Sequence, residues 1–188
     1  MDADPSISTE ILIILLLILA NGIFAMTEIA IVSSRKSRLE RQAAEGSNGA
    51  KQALELANDP TELLSTVQVG ITLIGIVTGA FGGATLAQAL VPHIQPLPLV
   101  GPYSAGVSLF IVIAAITYFS LIFGELVPKK IALNNPEPIA SAIAIPMRIF
   151  SKLFLPLVRL LSISTELVLK TLKIKEPADQ GVTEGEIK

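Results

Sequence analysis

Two carboxylates lie in stretches whose apolar sequence predicts membrane-spanning helices. Glu28 lies in an apolar run from Ile11 to Val32, which is long enough to cross a bilayer as a helix. Glu125 lies near the end of a second such run, from Ser104 to Val127. A carboxylate inside a membrane helix is costly and is by default a candidate functional group. These two residues are therefore the first candidates for chemistry.

Other oxygen-bearing side chains are predicted at a similar depth. At about 1.5 Å per residue, both carboxylates lie about 25 to 31 Å from the outer ends of their helices. A third apolar run, Leu63 to Val91, enters from that same inner side, and Gln68 and Thr72 lie about 7 and 13 Å inside it. Three helices thus bring oxygen ligands to the inner edge of a hydrocarbon layer about 30 Å thick. The expected set is Thr27, Glu28, Gln68, Thr72 and Glu125.

This set consists of carboxylate, hydroxyl and amide oxygens, which hard cations such as Mg²⁺ prefer. Softer metals would need thiolate or imidazole, but the chain has no cysteine and only one histidine, His93. The alternative is that both carboxylates lie at the membrane interface and pair with Arg35, Lys129 or Lys130. No nucleophile–base pair or phosphate-binding loop is evident, so we do not expect an enzyme.

The composition predicts an all-α membrane protein. Of 188 residues, 51% are hydrophobic and 16% are charged, whereas soluble domains carry roughly 25% charged residues. No Asp, Glu, Lys or Arg occurs between Leu63 and Gly124. We expect three transmembrane helices, at about 11–33, 62–91 and 104–128.

The basic residues predict the orientation. Arg35, Lys36, Arg38 and Arg41 follow the first span directly, and Lys129 and Lys130 follow the third. Because Lys and Arg concentrate on the cytoplasmic side of spans, we expect the N-terminus outside and the C-terminus in the cytoplasm.

Two further segments are expected at the cytoplasmic surface. Residues 37–58 are compatible with two short polar helices, separated by Gly46–Gly49. The segment from 137 to about 173 is interrupted by charged residues and by Pro146 and Pro156. We therefore expect these prolines to break it into amphipathic helices that form an interfacial belt and not a fourth span.

A stripe of small residues marks the second span. Gly75, Gly79 and Gly83 recur at four-residue spacing, a pattern that allows membrane helices to pack closely. We interpret it as a contact between helices or between two copies of the chain.

Three stretches together resemble the CorC/CNNM family of magnesium transporters. Phe24–Ala30 is similar to the family's first-helix motif, Leu63–Thr72 to its second-helix motif, and Gly124–Lys129 to the end of its third helix. The motifs occur in the family's order, and the similarity covers nearly the whole chain.

The resemblance implies a homodimeric membrane domain at residues 1–175, with a belt helix at about 137–173 and contacts with membrane lipid. It implies Mg²⁺ efflux across the plasma membrane, thought to be coupled to Na⁺ entry, and no nucleic-acid partner. Residues 176–188 are expected to begin a linker to regulatory cystathionine-β-synthase-type domains, which bind nucleotide and are missing from this sequence.

The resemblance also implies an ion site that is open to the cytoplasm. Its predicted residues are Ala25, Thr27, Glu28, Gln68, Gly70, Thr72, Gly124 and Glu125. Glu125 and Thr27 are the leading ligand donors, followed by the Ala25 carbonyl and Thr72, while Glu28 is a candidate for a coupling role.

The chain departs from the family pattern at four positions. The family usually has serines at the positions of Ala25 and Thr27, and asparagines at about Ile71 and Thr72. The sequence therefore leaves the ion's identity open. Alternatives to Mg²⁺ transport are a carrier of another cation and a membrane-anchored scaffold or sensor that transports nothing.

Overall fold

The computed structural model describes residues 5–172, and this part of the chain consists of helices and short turns, without a strand. The helices are α1 (Pro5–Ser33), α2 (Lys36–Ala44), α3 (Asn48–Asn58), α4 (Thr61–Ile94), α5 (Ser104–Leu121), α6 (Val127–Asn134) and α7 (Pro136–Thr171). A 3-10 turn, Gly101–Tyr103, precedes α5, and a π-helical turn, Ile122–Leu126, joins α5 to α6. The prediction of an all-α fold is confirmed, whereas the predicted linker at 176–188 lies outside the described residues.

Four helical segments are long and apolar enough to span a membrane. They are Ile7–Ser33, Thr61–Ile94, Gly101–Asn134 and Pro136–Thr171. The first three contain the three predicted spans, and α4 packs against both α1 and α5. Large apolar side chains such as Leu19, Ile76 and Phe110 are exposed on their outer faces, as expected for surfaces in contact with hydrocarbon.

Two spans continue beyond their predicted ends. α4 passes through Pro92 and ends at Ile94. Proline removes one backbone hydrogen bond, and in the last turn of a helix few further bonds depend on it. The third span continues through the π-helical turn into α6 and ends at Asn134.

The two short helices predicted between the first and second spans are confirmed as α2 and α3. They meet at Gly46, whose φ of 95° lies in the left-handed region that glycine adopts readily. Ser47 then caps α3, because its hydroxyl accepts a hydrogen bond from the N–H of Ala50 at 3.2 Å.

The core lies at the end of the bundle where α1, α2, α3, α4, α6 and α7 meet. Its alanines have no exposed surface, and they are Ala30, Ala50, Ala53, Ala132, Ala140 and Ala144. Such small residues allow helix backbones to approach each other closely. The tightest approach is at Gly49 of α3, where an added Cβ would collide with the carbonyl group of Ser141 in α7.

The predicted break at Pro146 and Pro156 is wrong. α7 runs without interruption over 36 residues, with both prolines inside it. Membrane-associated helices tolerate proline where neighbouring helices and local adjustments compensate for the lost hydrogen bond. Met147 and Val158, each within two residues of a proline, are buried, so packing supports the helix at both places.

α7 contacts the first turns of α4 at two positions that are far apart along its own length. Ser151 donates a hydrogen bond to Thr66 of α4 at 3.1 Å, and Thr165 lines a groove together with Ser65 of α4. These two positions of α7 are separated by about 21 Å of helix, yet both lie beside the first turns of α4. The belt helix stays a prediction, because α7 is also long and apolar enough to span a membrane.

The first half of α7 is attached to α3 and α1. Arg148 forms an ion pair with Glu55 of α3 at 2.7 Å and also donates to Gln52. Phe150 meets Phe24 of α1 edge to face, with ring centroids 4.8 Å apart. α7 therefore holds α3 and the first span together.

Candidate functional site

Asn21 binds a carbonyl group that a proline leaves without its helical partner. In an α-helix the N–H of residue 128 would bond to the carbonyl of Gly124, but Pro128 has no N–H. The side-chain amide of Asn21 donates to this carbonyl instead, at 2.9 Å. The π-helical turn Ile122–Leu126 forms at the same place, and such turns are frequent at functional sites.

Two glycines allow α1 to approach this turn. A Cβ on Gly22 would lie 3.0 Å from both the Phe123 carbonyl oxygen and Cγ of Pro128. A Cβ on Gly124 would lie 3.2 Å from Nδ2 of Asn21. The predicted site residue Gly124 thus provides both the close helix contact and the carbonyl that Asn21 binds.

The π-helical turn changes the direction in which Glu125 faces. In a regular α-helix, Ser120 and Glu125 would lie about 140° apart around the helix axis. The extra residue of the turn removes about 100° of this difference. Both residues consequently line the same cavity.

This cavity has a volume of about 250 Å³ and lies between α1, α4 and α5, with room for several water molecules. Its polar lining consists of Asn21, Thr78, Thr117, Ser120 and Glu125. Gly75, Gly79 and Gly83 form the α4 wall, and a Cβ on any of them would meet no atom within 4 Å. Within residues 5–172, the predicted glycine stripe therefore faces the cavity and makes no close helix contact.

Lys129 links the two carboxylates that the sequence singles out. Its Nζ lies 3.0 Å from Oε1 of Glu125 and 3.4 Å from Oε2 of Glu28. The three side chains are between 28% and 40% exposed, so they lie at the edge of the protein interior and remain accessible. The structure thus brings Glu28 and Glu125 to one cationic group, which is the pairing that the interfacial alternative anticipated.

Asn21 contributes a second unusual group to the site. Its Oδ1 is buried and has no hydrogen-bond partner among the described residues, while its Nδ2 is bound to Gly124. A buried acceptor without a partner is costly. Because Asn21 lines the cavity beside Glu125, this oxygen is a candidate ligand.

Ala25 and Thr27 lie inside the protein. Both are fully buried in α1, and the Thr27 hydroxyl donates to the Ile23 carbonyl of its own helix at 2.7 Å. This hydrogen bond uses the hydroxyl proton and leaves oxygen lone pairs. Neither residue is part of the cavity lining around Glu125.

The three predicted residues of α4 do not line the cavity that contains Glu125. Gln68 lies in the groove between α4 and α7, and the hydroxyl of Thr72 donates to the Gln68 carbonyl at 2.8 Å on an exposed surface. Gly70 is buried, and a Cβ there would clash with the ring of Phe24. In this structure the role of Gly70 is therefore close packing.

The described residues contain no group of three His, Cys, Asp or Glu side chains that could hold a metal ion. A cation at Glu125 would therefore depend on neutral oxygens as well. Asn21, Thr78 and Thr117 were not among the candidates predicted from the sequence. Asn21 could have been predicted as a candidate, because it precedes Glu28 by two helical turns and therefore lies on the same face of α1.

Together, the fold and the site define a multi-pass α-helical membrane domain with a polar cavity between its spans. Residues 12–188 match the family model described as the Cyclin M transmembrane N-terminal domain, CNNM. The chain belongs to this family, which confirms the resemblance drawn from the three motifs.

The relatives are longer proteins. The UPF0053 protein sll0260 of Synechocystis sp. is 48% identical over 185 residues, which are 98% of this chain and 41% of that protein. The UPF0053 protein YhdT of Bacillus subtilis is 32% identical over 177 residues, 94% of this chain and 38% of that protein. A polyamine export protein of Haemophilus influenzae is 27% identical over 180 residues, 94% of this chain and 41% of that protein. The chain spans about two fifths of the length of these relatives.

Proposed function

We propose that this domain transports a cation across the membrane and that the cavity between α1, α4 and α5 is its binding site. The observation that carries the proposal is the position of Lys129, whose ammonium group is held by Glu125 and Glu28. Two carboxylates that attract one cationic group also attract others. A transported cation would bind Glu125 by displacing this ammonium group.

Mg²⁺ is the first candidate for the transported ion. The cavity offers only oxygen ligands of the kind that Mg²⁺ prefers, namely the Glu125 carboxylate, Oδ1 of Asn21 and the nearby hydroxyls. Mg²⁺ usually keeps several water molecules when it is bound, and the cavity volume of about 250 Å³ would accommodate them. Coupling to Na⁺ entry is the driving reaction that the family resemblance suggests.

A polyamine is the second candidate. The group held between the carboxylates is itself a primary ammonium, which is the chemistry of a polyamine end. Ile113 and Ile116 add apolar surface to the cavity, where the methylene groups of a polyamine would pack. The Haemophilus influenzae relative is named a polyamine export protein, which supports this candidate.

A scaffold or sensor without transport is the alternative from a different functional class. In that case Glu28, Lys129 and Glu125 would stabilise the fold as a salt-bridge cluster, and the cavity would bind no cation. We favour transport over this alternative, and over catalysis, because polar groups from three helices surround the cavity.

The setting of the domain is part of the proposal. We place it in the plasma membrane as a homodimer, with the N-terminus outside and the C-terminus in the cytoplasm. The basic residues of α2 support this orientation. The homodimer rests on the family resemblance.

Calorimetric titration tests the proposal. MgCl₂ and spermidine are titrated separately into the detergent-solubilised chain, as wild type, Glu125→Gln and Glu62→Gln. Glu62 is an exposed carboxylate in the first turn of α4, so it serves as the matched control. We expect saturable binding to wild type and to Glu62→Gln. Binding to Glu125→Gln should be weaker by about tenfold or more, since one charged contact contributes about 1.5–3 kcal/mol.

The cation that saturates wild type at the lower concentration identifies the cargo, and flux into liposomes then tests its movement. Equal binding to wild type and Glu125→Gln would show that the cation lies elsewhere. If wild type binds neither cation, the scaffold alternative becomes the better explanation.

A further inference from the structure

A second groove, distinct from the cation cavity, lies beside α2. Its volume is about 510 Å³, and its walls are α2 and the link between α6 and α7. The lining is mainly polar and includes three arginines, Arg35, Arg38 and Arg41. Such a concentration of guanidinium groups is suited to an anion.

The groove lies where two apolar spans end. Ser33 is the last residue of the first candidate span and Asn134 the last residue of the third, and both line the groove. Pro136, the first residue of α7, lines it as well. Its depth is therefore that of the lipid headgroups, on the side where the arginines predict the cytoplasm.

A buried carboxylate fixes the position of the groove's arginines. Glu137 is 4% exposed, accepts a hydrogen bond from the backbone N–H of Arg35 at 3.3 Å and pairs with the guanidinium of Arg38 at 3.6 Å. These contacts hold the start of α2 against the start of α7. The side chain of Arg35 takes part in neither of these two contacts.

The arginines retain binding capacity for a further anion. Within residues 5–172, the guanidinium of Arg35 forms no ion pair or hydrogen bond. In the described part of the chain, Arg41 pairs only with Glu45 of its own helix, at 3.7 Å, and its side chain is 76% exposed. Exposed ion pairs of this length contribute little to stability. An anion that binds the guanidinium of Arg41 more tightly would therefore displace Glu45.

We propose that this groove binds the phosphate group of an anionic phospholipid of the inner leaflet. The planar guanidinium fork matches phosphate oxygens with two parallel hydrogen bonds, and basic pockets at the cytoplasmic ends of membrane helices are suited to anionic headgroups. The side-chain amides of Asn134 and Asn135, which line the same groove, supply further donors. The bound lipid joins α2 to the end of α6 and the start of α7.

Native mass spectrometry of the full chain tests the proposal. Phosphatidylglycerol or phosphatidylcholine is titrated into detergent micelles, and the retained lipid is counted for wild type, the double variant Arg35→Ala/Arg41→Ala, and Arg159→Ala. Arg159 is an exposed arginine of α7 outside this groove and is the matched control. The double variant leaves both contacts of Glu137 in place, and circular dichroism checks that it is folded.

We expect wild type and Arg159→Ala to retain phosphatidylglycerol in preference to phosphatidylcholine. The double variant should require about tenfold more phosphatidylglycerol for the same occupancy. The conservative variant Arg35→Lys/Arg41→Lys keeps the positive charges but loses the planar guanidinium fork. The amount of phosphatidylglycerol that it requires should lie between those of wild type and the double alanine variant.

Three results would overturn the proposal. One is equal retention of phosphatidylglycerol by wild type and the folded double variant. Another is an equal loss in Arg159→Ala, which would indicate general charge attraction. The third is saturation of the groove by inorganic phosphate, in a parallel titration, without any preference for the anionic lipid, which would identify a soluble phosphate compound as the ligand.

Discussion

In the proposed site, Lys129 would compete with a bound cation for Glu28 and Glu125. Its ammonium group lies within 3.4 Å of both carboxylates, so its removal leaves two negative charges without a partner. We expect Lys129→Met to bind the transported cation about tenfold more tightly than wild type, because a like charge is removed from the site. Calorimetry measures this directly. Lys130→Met, which changes the adjacent exposed lysine, is the control and should bind as wild type does.

Weaker or unchanged binding in a folded Lys129→Met variant would contradict the proposed exchange between the ammonium group and the cation. The salt-bridge cluster would then be a stabilising feature only, as the scaffold alternative requires.

Asn21 and Pro128 should be energetically coupled through the Gly124 carbonyl. Replacement of Asn21 by Leu leaves this carbonyl without its hydrogen bond, and we expect a loss of about 1–3 kcal/mol in the free energy of unfolding. Pro128→Ala supplies the N–H that a regular helix would use. The double variant should therefore lose less than the sum of the two single variants, which a double-mutant cycle measures. Additive losses would show that the carbonyl does not connect the two residues.

The alanine-rich contact between α3 and α7 should tolerate no added volume. Gly49→Ala places a methyl group against the Ser141 carbonyl, and overpacking of this kind costs about 1–3 kcal/mol. Gly106→Ala in α5 is the matched control, because a Cβ there meets no atom within 4 Å and alanine favours a helix by about 1 kcal/mol. Unfolding in sodium dodecyl sulfate, followed by circular dichroism, compares them. Equal stability of the two variants would contradict the tight packing.

At the scale of helices, the sequence predicts the spans because their length and hydrophobicity are local properties. The π-helical turn is different, since the Gly124 carbonyl within it is bound by Asn21, which lies 103 residues away in the sequence. The continuity of α7 through Pro146 and Pro156 also depends on packing against other helices. Local rules for proline therefore predicted a break that the assembled fold does not have.

For the candidate site, the depth of each residue in the membrane could be predicted from the sequence. The direction in which its side chain faces could not. The lengths of the apolar runs place Glu28 and Glu125 at one level, and the structure brings both to Lys129. Gln68 and Thr72 do not join them, because the rotation of α4 about its axis turns them toward α7 and the outer surface. Rotation is decided by contacts between helices, which composition does not reveal.

The topology of the whole molecule depends on whether α7 lies along the membrane surface or spans the membrane. The chain has no cysteine, so single cysteines can be introduced and labelled from either side of the membrane. If α7 is a belt, Lys170→Cys should react from the same side as Asn58→Cys, which lies at the end of α3. Gln95→Cys, after the end of α4, should react from the opposite side. Labelling of Lys170→Cys together with Gln95→Cys would show that α7 crosses the membrane as a fourth span.

In the proposed carrier, the ammonium group of Lys129 would also set the net charge of the site when no cargo is bound. Glu28, Glu125 and Lys129 together carry one net negative charge, where two bare carboxylates would carry two. Movement of one elementary charge across the membrane potential requires about 2.3 kcal/mol per 100 mV, so the return of the empty site involves half the electrical work. The charge moved per complete turnover is that of the cargo in both chains, so Lys129 changes how the electrical work is divided between the loaded and the empty step. The return of the empty site should depend less on voltage in the native chain than in Lys129→Met, and charge movements recorded from reconstituted protein without cargo would measure this difference.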